Sequence, residues 1–547
     1  MPAVRLAMAQ INPTVGDLSA NSELIFSSCQ RASEAGAKLV MFPELALSGY
    51  PIEDLALSVD FLDQCEEAVA ELAGRLQGAG LGSLRVLLGH PGRASKPTSW
   101  AIGQNQASLI YQGEVSHRYA KHHLPNYSVF DEYRVFVPGS ELEPFEIDGI
   151  KFAAVICEDI WQSGGPVAQL SKSDVAITLV LNGSPFETSK EDTRLALVQD
   201  LARKHGTAVA YLNLVGGQDD LVFDGNSFVV DLAGNEVARA RQFESDLLLV
   251  DFESKTKITP LEPSAKRLSE VEQIWQALVL GTRDYVQKTG FRSVVLGLSG
   301  GIDSAVCAAI AADAVGPENV YTVAMPSKYS SDHSVRDAYE LAENFGLNHS
   351  VQPIEPMLEA FHSELKLEGI AAENLQARVR ALILMGLSNQ MGHLVLTTGN
   401  KTELAVGYST IYGDSVGGFA PIKDVEKSMV WALARWRNSQ ASSQKPPIPV
   451  SSIEKAPSAE LRPNQTDQDT LPDYQLLDDI LRGYIESRQS IAQLAAAGFD
   501  ESLVKRVAEL VRNAEWKRRQ GAIGPRITKL AFGRERRFPI TNRVGEA

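Results

Sequence analysis

The sequence predicts two α/β domains in tandem, and three observations carry that prediction. Strand-like hydrophobic runs alternate with helical and turn-rich segments through the first half. The second half opens on a helix-spaced segment that leads into a strand, a glycine-rich loop and another helix. Between them the regular alternation breaks at a polar, proline-bearing stretch, and a chain of 547 residues is too long for one hydrophobic core.

In chain order, strands are expected at Val4–Gln10, Lys38–Phe42, Arg85–Gly89, Ala107–Tyr111, Phe152–Ile156, Val175–Leu181, Ala208–Leu212 and Ser227–Asp231. These fill a first domain over 1–252. The stretch "FESKTKITPLEPSAKRLSE" reads as a linker, placed at 253–268, and the second domain follows at 269–547. There a helix is expected over Glu270–Lys288, then a strand at Val294–Leu298, a strand at Val320–Met325, a helix from Ser334 to Phe345 and a strand at Leu394–Thr398. Residues 438–452, "NSQASSQKPPIPVSS", read as a mobile surface loop or as a lid that orders over substrate. No internal repeat interrupts this pattern.

Composition narrows the class. Hydrophobic residues make up 44% and charged residues 22%, as in soluble globular proteins. With 52 basic against 68 acidic residues, the net charge of −16 argues against nucleic acid or membrane as the main partner. The start "MPAVRLAMAQINP" lacks the pattern of a secretory signal, and no apolar run reaches the length of a membrane span, so a cytoplasmic location is expected. The four cysteines, Cys29, Cys65, Cys157 and Cys307, form no C-x-x-C pair, which speaks against a disulfide framework or a zinc site.

Three stretches in the first half place reactive side chains beside strand ends or proline-marked turns: "MFPELALSGYP" around Glu44, "RYAKHHLPNYSVFDE" around Lys121 and "AAVICEDIW" around Cys157. A thiolate can attack an amide carbonyl, a carboxylate can shuttle the proton and an ammonium can steady the oxyanion. The stretches resemble the nitrilase superfamily of carbon–nitrogen hydrolases. That resemblance implies an αββα sandwich over about residues 3–250, with Cys157 as nucleophile, Glu44 as general base and acid, and Lys121 as the stabilising cation. "KHHLPNYSVFDE" looks like the glutaminase members, which implies Tyr127 as a contact to bound glutamine. "NGSPFETSK" similarly implies Ser184 and Lys190, although relatives often carry arginine where Lys190 stands. The adjacent His122 and His123 are awkwardly placed for one metal and receive no catalytic part.

In the second half, "VVLGLSGGIDSA" over 294–305 is a strand, a loop of small residues and a helix start, able to close backbone N–H groups around an anion. It lacks the lysine of a Walker A loop. The absence points away from cleavage between the β- and γ-phosphates. "SGGIDS" resembles the loop of the N-type ATP pyrophosphatases, implying a doubly wound parallel sheet of the adenine-nucleotide α-hydrolase type, with Asp303 on Mg²⁺. "ENLQARVRALILM", "TTGNKTELAVGYSTIYGD", "EKAPSAELRPNQTDQDTLPDY" and "EWKRRQGAIGPRITKLAFGRERRFPITNR" together resemble the NAD synthetase family over 270–543. The resemblance implies ATP contacts at Gly297, Leu298, Ser299, Gly300, Gly301, Ile302, Asp303, Ser304, Arg378, Thr398 and Lys427, deamido-NAD contacts at Asn374, Glu403 and Lys517, and Mg²⁺ at Asp303 and Glu403. Arg534, Arg536 and Arg537 carry no assignment.

Taken together, the two resemblances imply ATP-dependent amidation of deamido-NAD to NAD with nitrogen from glutamine or ammonia, through an adenylate, releasing AMP, pyrophosphate and glutamate. They also imply a homo-oligomer and an internal passage for ammonia. Two rivals differ in class: the same hydrolase half joined to another acyl-adenylate amidotransferase, or a dinucleotide-sensing scaffold without activity. The "KAPSAELRP" stretch speaks against the first, and the full set of reactive side chains against the second.

Overall fold

Alternate residues of the N-terminal strands face two different cores, which is why their sequences read as unbroken hydrophobic runs rather than as apolar–polar alternation. The structure is a computed structural model describing residues 3–139, 141–441 and 445–544. The chain divides into two compact units, Met1–Gln218 with Val222–Leu268, and Asp219–Leu221 with Ser269–Ala547.

The first unit holds β1 (Val4–Gln10), β2 (Leu39–Met41), β3 (Arg85–Arg93), β4 (Gly103–Tyr111), β5 (Glu114–Ala120), β6 (Phe145–Ile147), β7 (Ile150–Ile156), β8 (Ile177–Asn182), β9 (Ala208–Asn213), β10 (Val215–Gln218), β11 (Leu221–Asp224), β12 (Phe228–Val230), β13 (Glu236–Arg239), β14 (Asp246–Ser254) and β15 (Lys257–Pro260). One sheet runs β15-β14-β1-β2-β3-β4-β5 and a second runs β13-β12-β9-β8-β7-β6. Leu6 and Met8 of β1 meet Phe152 and Ile156 of β7 in the core between the sheets. Ala7 and Ala9 of β1 instead pack under helices Leu18–Glu34 and Val59–Gly78, through Ile25, Leu72 and Leu76. On the far side, Val155 and Val180 pack against Val198 and Leu201 of helix Lys190–His205. The result is the αββα sandwich. The expected linker over 253–268 differs from the structure: β14 runs on to Ser254, and Lys257–Pro260 pairs with it as the edge strand β15.

In the second unit, β16 (Val294–Gly297), β17 (Val320–Ala324), β18 (Asn348–Val351) and β19 (Leu394–Val395) form a parallel sheet in the order β18-β17-β16-β19. From β16 the chain builds outward through β17 and β18, then returns to pair β19 on the other edge. The loop after β16 therefore leaves the sheet at the point where the strand order reverses, where open α/β sheets form their ligand crevice. A helical subcore built from Leu477, Ile480, Val504, Val507 and Val511 closes the unit's C-terminal part. Of the 438–452 segment, 442–444 lie outside the described residues. Around them Asn438 bridges both backbone groups of Ile448, and Ser452 donates to the carbonyl of Gly300 at 3.1 Å. Among the described residues no helix is long and apolar enough to cross a membrane.

Candidate active sites

The first site forms where three strands of the sandwich end. Glu44 follows β2, Lys121 follows β5 and Cys157 follows β7, and all three are buried. Lys121 Nζ donates to Glu44 Oε1 at 2.7 Å and to Glu132 Oε1 at 2.8 Å. Asn105 Nδ2 donates to the same Glu44 oxygen at 2.7 Å, and the Gly183 N–H donates to Glu44 Oε2 at 2.7 Å. Every hydrogen bond that fixes the Glu44 carboxylate thus comes from a buried donor, as a buried charge requires.

Cys157 opens the turn Cys157–Ile160 with φ at 42°, a left-handed conformation that costs a non-glycine residue energy and recurs at functional positions. Burial pushes its thiol well above the ordinary range, Glu44 adds to that effect and Lys121 opposes it. Burial thus favours the protonated form of the sulfur, which then needs a base for its attack. Burial alone would lower the Lys121 ammonium, but the Glu132 and Glu44 carboxylates hold it well above its ordinary value. Lys121 is a permanent cation here.

The structure adds side chains that the sequence did not mark. Glu132 lies in a four-residue helix after a polar loop, and Tyr50 donates its hydroxyl to it at 2.8 Å. Asp159 accepts the backbone N–H groups of Ile156, His122 and His123 as well as the Tyr119 hydroxyl. The two histidines are thus tied in through their main chains, and the His122 ring also bonds Gly139 O through Nδ1 at 2.6 Å. Of the expected glutamine contacts, Tyr127 is half exposed and donates to Glu158 at 2.9 Å, on the residue after the nucleophile. Ser184 is buried beside the Arg194–Asp224 ion pair. Lys190 begins its helix with Nζ 6.0 Å from the centre of the Phe130 ring.

The second site is a cavity of about 300 Å³ in the second unit. Gly297, Leu298, Ser299, Gly301, Ile302, Asp303 and Ser304 line it, together with Thr398, Glu403 and Lys427. Gly300 supplies the turn: its φ is 78°, and a Cβ there would sit 2.2 Å from the Ser334 carbonyl oxygen. Lys427 Nζ bonds Asp303 Oδ2 and lies 3.3 Å from Glu403 Oε1, while Asn400 donates to Asp303 Oδ1 at 2.9 Å. Burial raises the Glu403 carboxyl to about 8, with Lys427 opposing and Asp303 reinforcing the shift. Tyr474 and Tyr408 both donate to Asp467, which also faces the cavity.

Arg378, Asn374 and Lys517 are placed differently. None lines that cavity. All three attach to one loop: Arg378 Nε donates to Ile411 O at 3.3 Å, Thr410 donates to Asn374 Oδ1 at 2.8 Å, and Lys517 Nζ donates to Gly407 O and Ser409 O. The arginine that faces the cavity is Arg380, two residues on.

A sandwich with a buried thiol, carboxylate and ammonium at its strand ends defines a thiol-dependent amide hydrolase, and a lysine-free anion loop at a sheet switch point defines a nucleotide-activating ligase. The carbon–nitrogen hydrolase family matches residues 5–257 and the NAD synthase family residues 274–521. The chain is 44% identical to the glutamine-dependent NAD(+) synthetase of Acinetobacter baylyi and 43% identical to that of Aquifex aeolicus, each over 99% of both chains. It is also similar, at 42% identity over 99% of both chains and a TM-score of 0.78, to the solved structure of glutamine-dependent NAD+ synthetase from Acinetobacter baumannii in complex with adenosine diphosphate. The chain belongs to the family of glutamine-dependent NAD(+) synthetases.

Proposed function

We propose that the protein amidates deamido-NAD to NAD, using ATP for activation and glutamine for nitrogen. The observation that carries this reading is the presence, in one chain, of a buried thiol site and a nucleotide cavity with unlike chemistry. In the first site Glu44 takes the Cys157 thiol proton as sulfur attacks the glutamine amide carbonyl, and Lys121 steadies the oxyanion. Glu44 returns the proton to the leaving nitrogen, so ammonia departs and a thioester remains. Glu44 then draws a proton from water, which attacks the thioester, and glutamate leaves with the thiol restored. Tyr127, Ser184 and Lys190 are read as the groups that hold glutamine.

In the second site the loop Gly297–Ser304 cradles the ATP phosphates, with Lys427 and Thr398 beside them. The deamido-NAD carboxylate attacks the α-phosphorus, pyrophosphate leaves, and ammonia displaces AMP from the adenylate. Asn374 and Lys517, bonded to the 407–411 loop, are read as serving the dinucleotide, and Arg378, bonded to the same loop, as an ATP contact. Asp303 and Glu403 turn two carboxylates toward one cation, Lys427, a donor set that fits Mg²⁺, which takes one or two carboxylates alongside phosphate oxygens. No group of three or more His, Cys, Asp and Glu that could hold a metal occurs among the described residues, so phosphate and water oxygens would complete that shell. When bound, the ion offsets charge on the departing pyrophosphate. The reading includes a cytoplasmic homo-oligomer, for which light scattering on the purified protein is the direct measurement.

The test is NAD formation from deamido-NAD and ATP with glutamine or ammonium as donor, with the nucleotide products resolved by chromatography and ¹⁸O placed in the substrate carboxylate. AMP carrying the label is expected. ADP with labelled orthophosphate would refute the adenylate route, and no NAD with either donor would refute the whole reading.

A further inference from the structure

Helix Lys427–Ser439 is capped from a distance. Glu426 stands at its N-cap position but pairs its carboxylate with Arg482. The first backbone N–H groups of a helix have no partner within it, and buried ones must find one elsewhere. Here they go to two side chains remote in the chain. The Lys427 N–H donates to Thr402 Oγ1 at 2.9 Å, and the Ser428 N–H donates to Asp478 Oδ2 at 2.8 Å. The Thr402 hydroxyl in turn donates to Asp478 Oδ1. Thr402, Lys427 and Asp478 are all buried.

Three helices of the second unit are thus tied at one carboxylate. Thr402 lies in helix Lys401–Val406, directly before Glu403. Residues 402 and 403 hold Lys427 at both ends, the hydroxyl taking its main chain and the Glu403 carboxylate, with Asp303, taking its ammonium. Asp478 belongs to helix Tyr474–Leu481, and one turn earlier the Tyr474 ring centre lies 5.1 Å from the same ammonium. Burial pushes the Asp478 carboxyl up, while the Thr402 and Ser428 donors oppose that shift, and a carboxylate at a helix N-terminus also complements the helix dipole. Asp478 does not itself line the nucleotide cavity, whereas Glu403 and Lys427 do. Its influence on that cavity runs through them.

We propose that Asp478 is a positioning residue for the ligase reaction: through the Thr402 hydroxyl and the Ser428 amide it fixes the first turn of helix Lys427–Ser439, and with it the Lys427 ammonium against Asp303 and Glu403. The proposal rests on the ligase reading given above, and it deepens that reading. A lysine is a point charge on a flexible stem, so the place of its main chain decides where that charge can sit. Loss of the tie leaves two buried donors without an acceptor and lets the helix start drift from Glu403.

The experiment measures kcat/KM for ATP in ammonium-driven NAD formation by the full-length protein, and separately ATP binding by calorimetry. Thr402→Val keeps the shape and removes the hydroxyl, whereas Thr402→Ser keeps the hydroxyl and removes a methyl. Thr402→Val and Asp478→Asn should each lower kcat/KM roughly 10- to 100-fold, as for a reacting group displaced by about 1 Å. Thr402→Ser should recover most of that loss. A role in packing alone predicts the opposite order, with valine tolerated and serine not. Because both side chains act on one tie, the double variant Thr402→Val with Asp478→Asn should lose little more than the worse single one. Circular dichroism reports that each variant is folded, and if Asp478→Asn is not, the two Thr402 variants decide the matter alone. A parental rate for Thr402→Val, equal rates for the valine and serine variants, or fully additive losses in the double variant would overturn the proposal. A parent enzyme that bound ATP yet made no NAD would refute the ligase reading, and the ranking of the Thr402 variants in ATP affinity, serine above valine, would then test the positioning.

Discussion

Gly300→Ala should disable the ligase half while sparing the glutaminase half. The alanine would have to adopt φ near 78°, which costs roughly 1–2 kcal/mol for a residue with a Cβ. Its Cβ would also sit 2.2 Å from Ser334 O and 2.9 Å from Ser334 Cα, where ordinary contact begins at 3.4 Å. The loop and the start of helix Asp332–Phe345 would have to part by about 1 Å, and a displacement of that size at a reacting centre costs on the order of 100-fold in rate. Gly301 is the natural comparison, because its φ is −82° and the nearest atom to a Cβ there is the movable Ser299 hydroxyl at 3.3 Å. The assay is ammonium-driven NAD formation at saturating ATP, with glutaminase turnover followed in parallel. Ligase rates for Gly300→Ala should fall by about 100-fold, and by much less for Gly301→Ala. Equal losses in the two variants, or a Gly300→Ala rate within about threefold of the parent, would refute the steric argument.

Cys157→Ala should abolish glutamine-driven NAD formation and leave ammonium-driven formation largely intact, since the sulfur serves only nitrogen release; parallel loss of both in a folded variant would break the division of labour. Asp303→Asn should do the reverse, lowering synthesis with either donor and sparing glutaminase turnover, as read by glutamate release. The His90 imidazole, buried beside Ser108, is pushed down to about 4 by burial, so the folded first unit binds fewer protons than the unfolded chain between about pH 6.5 and 4. Stability should therefore fall as pH drops through that window, by up to about 3 kcal/mol from this group. Inactivation half-life of the glutaminase activity against pH is the measurement, and a His90→Gln variant with unchanged acid sensitivity would count against the assignment.

What the sequence revealed followed how strongly each element was buried. β1, sealed on both faces, coincides with its expected span of Val4–Gln10. β5, "EVSHRYA", is a mostly exposed edge strand whose charged residues conceal it from a search for hydrophobic runs. β14 alternates buried and half-exposed positions and carries Asp251 and Glu253, so its sequence resembles a seam where the strand continues. At the thiol site, Glu44, Lys121 and Cys157 stand out because strand ends and neighbouring prolines frame them. Glu132 closes the same quoted stretch as Lys121, yet nothing in its residue type separates a carboxylate that folds inward onto Lys121 from the many on the surface. Arg378 and Arg380 differ only in helical phase. The stripe Ala377, Ala381, Leu384 contains that information, but it becomes decisive only when the cavity shows which side of the helix is inside.

Asp159 has a consequence for how this protein can change over time. It grips the amides of residues 122, 123 and 156 rather than their side chains, so the spacing between the nucleophile's turn and the lysine's strand end is written in the main chain. A substitution at 123 can change the side chain without touching those amide bonds, while one at 122 also removes the ring nitrogen's bond to Gly139 O at 2.6 Å. Proline, which has no amide hydrogen to offer, is barred from both positions. A single buried carboxylate thus fixes the nucleophile's turn to the main chain at 122 and 123, whichever side chains those positions carry.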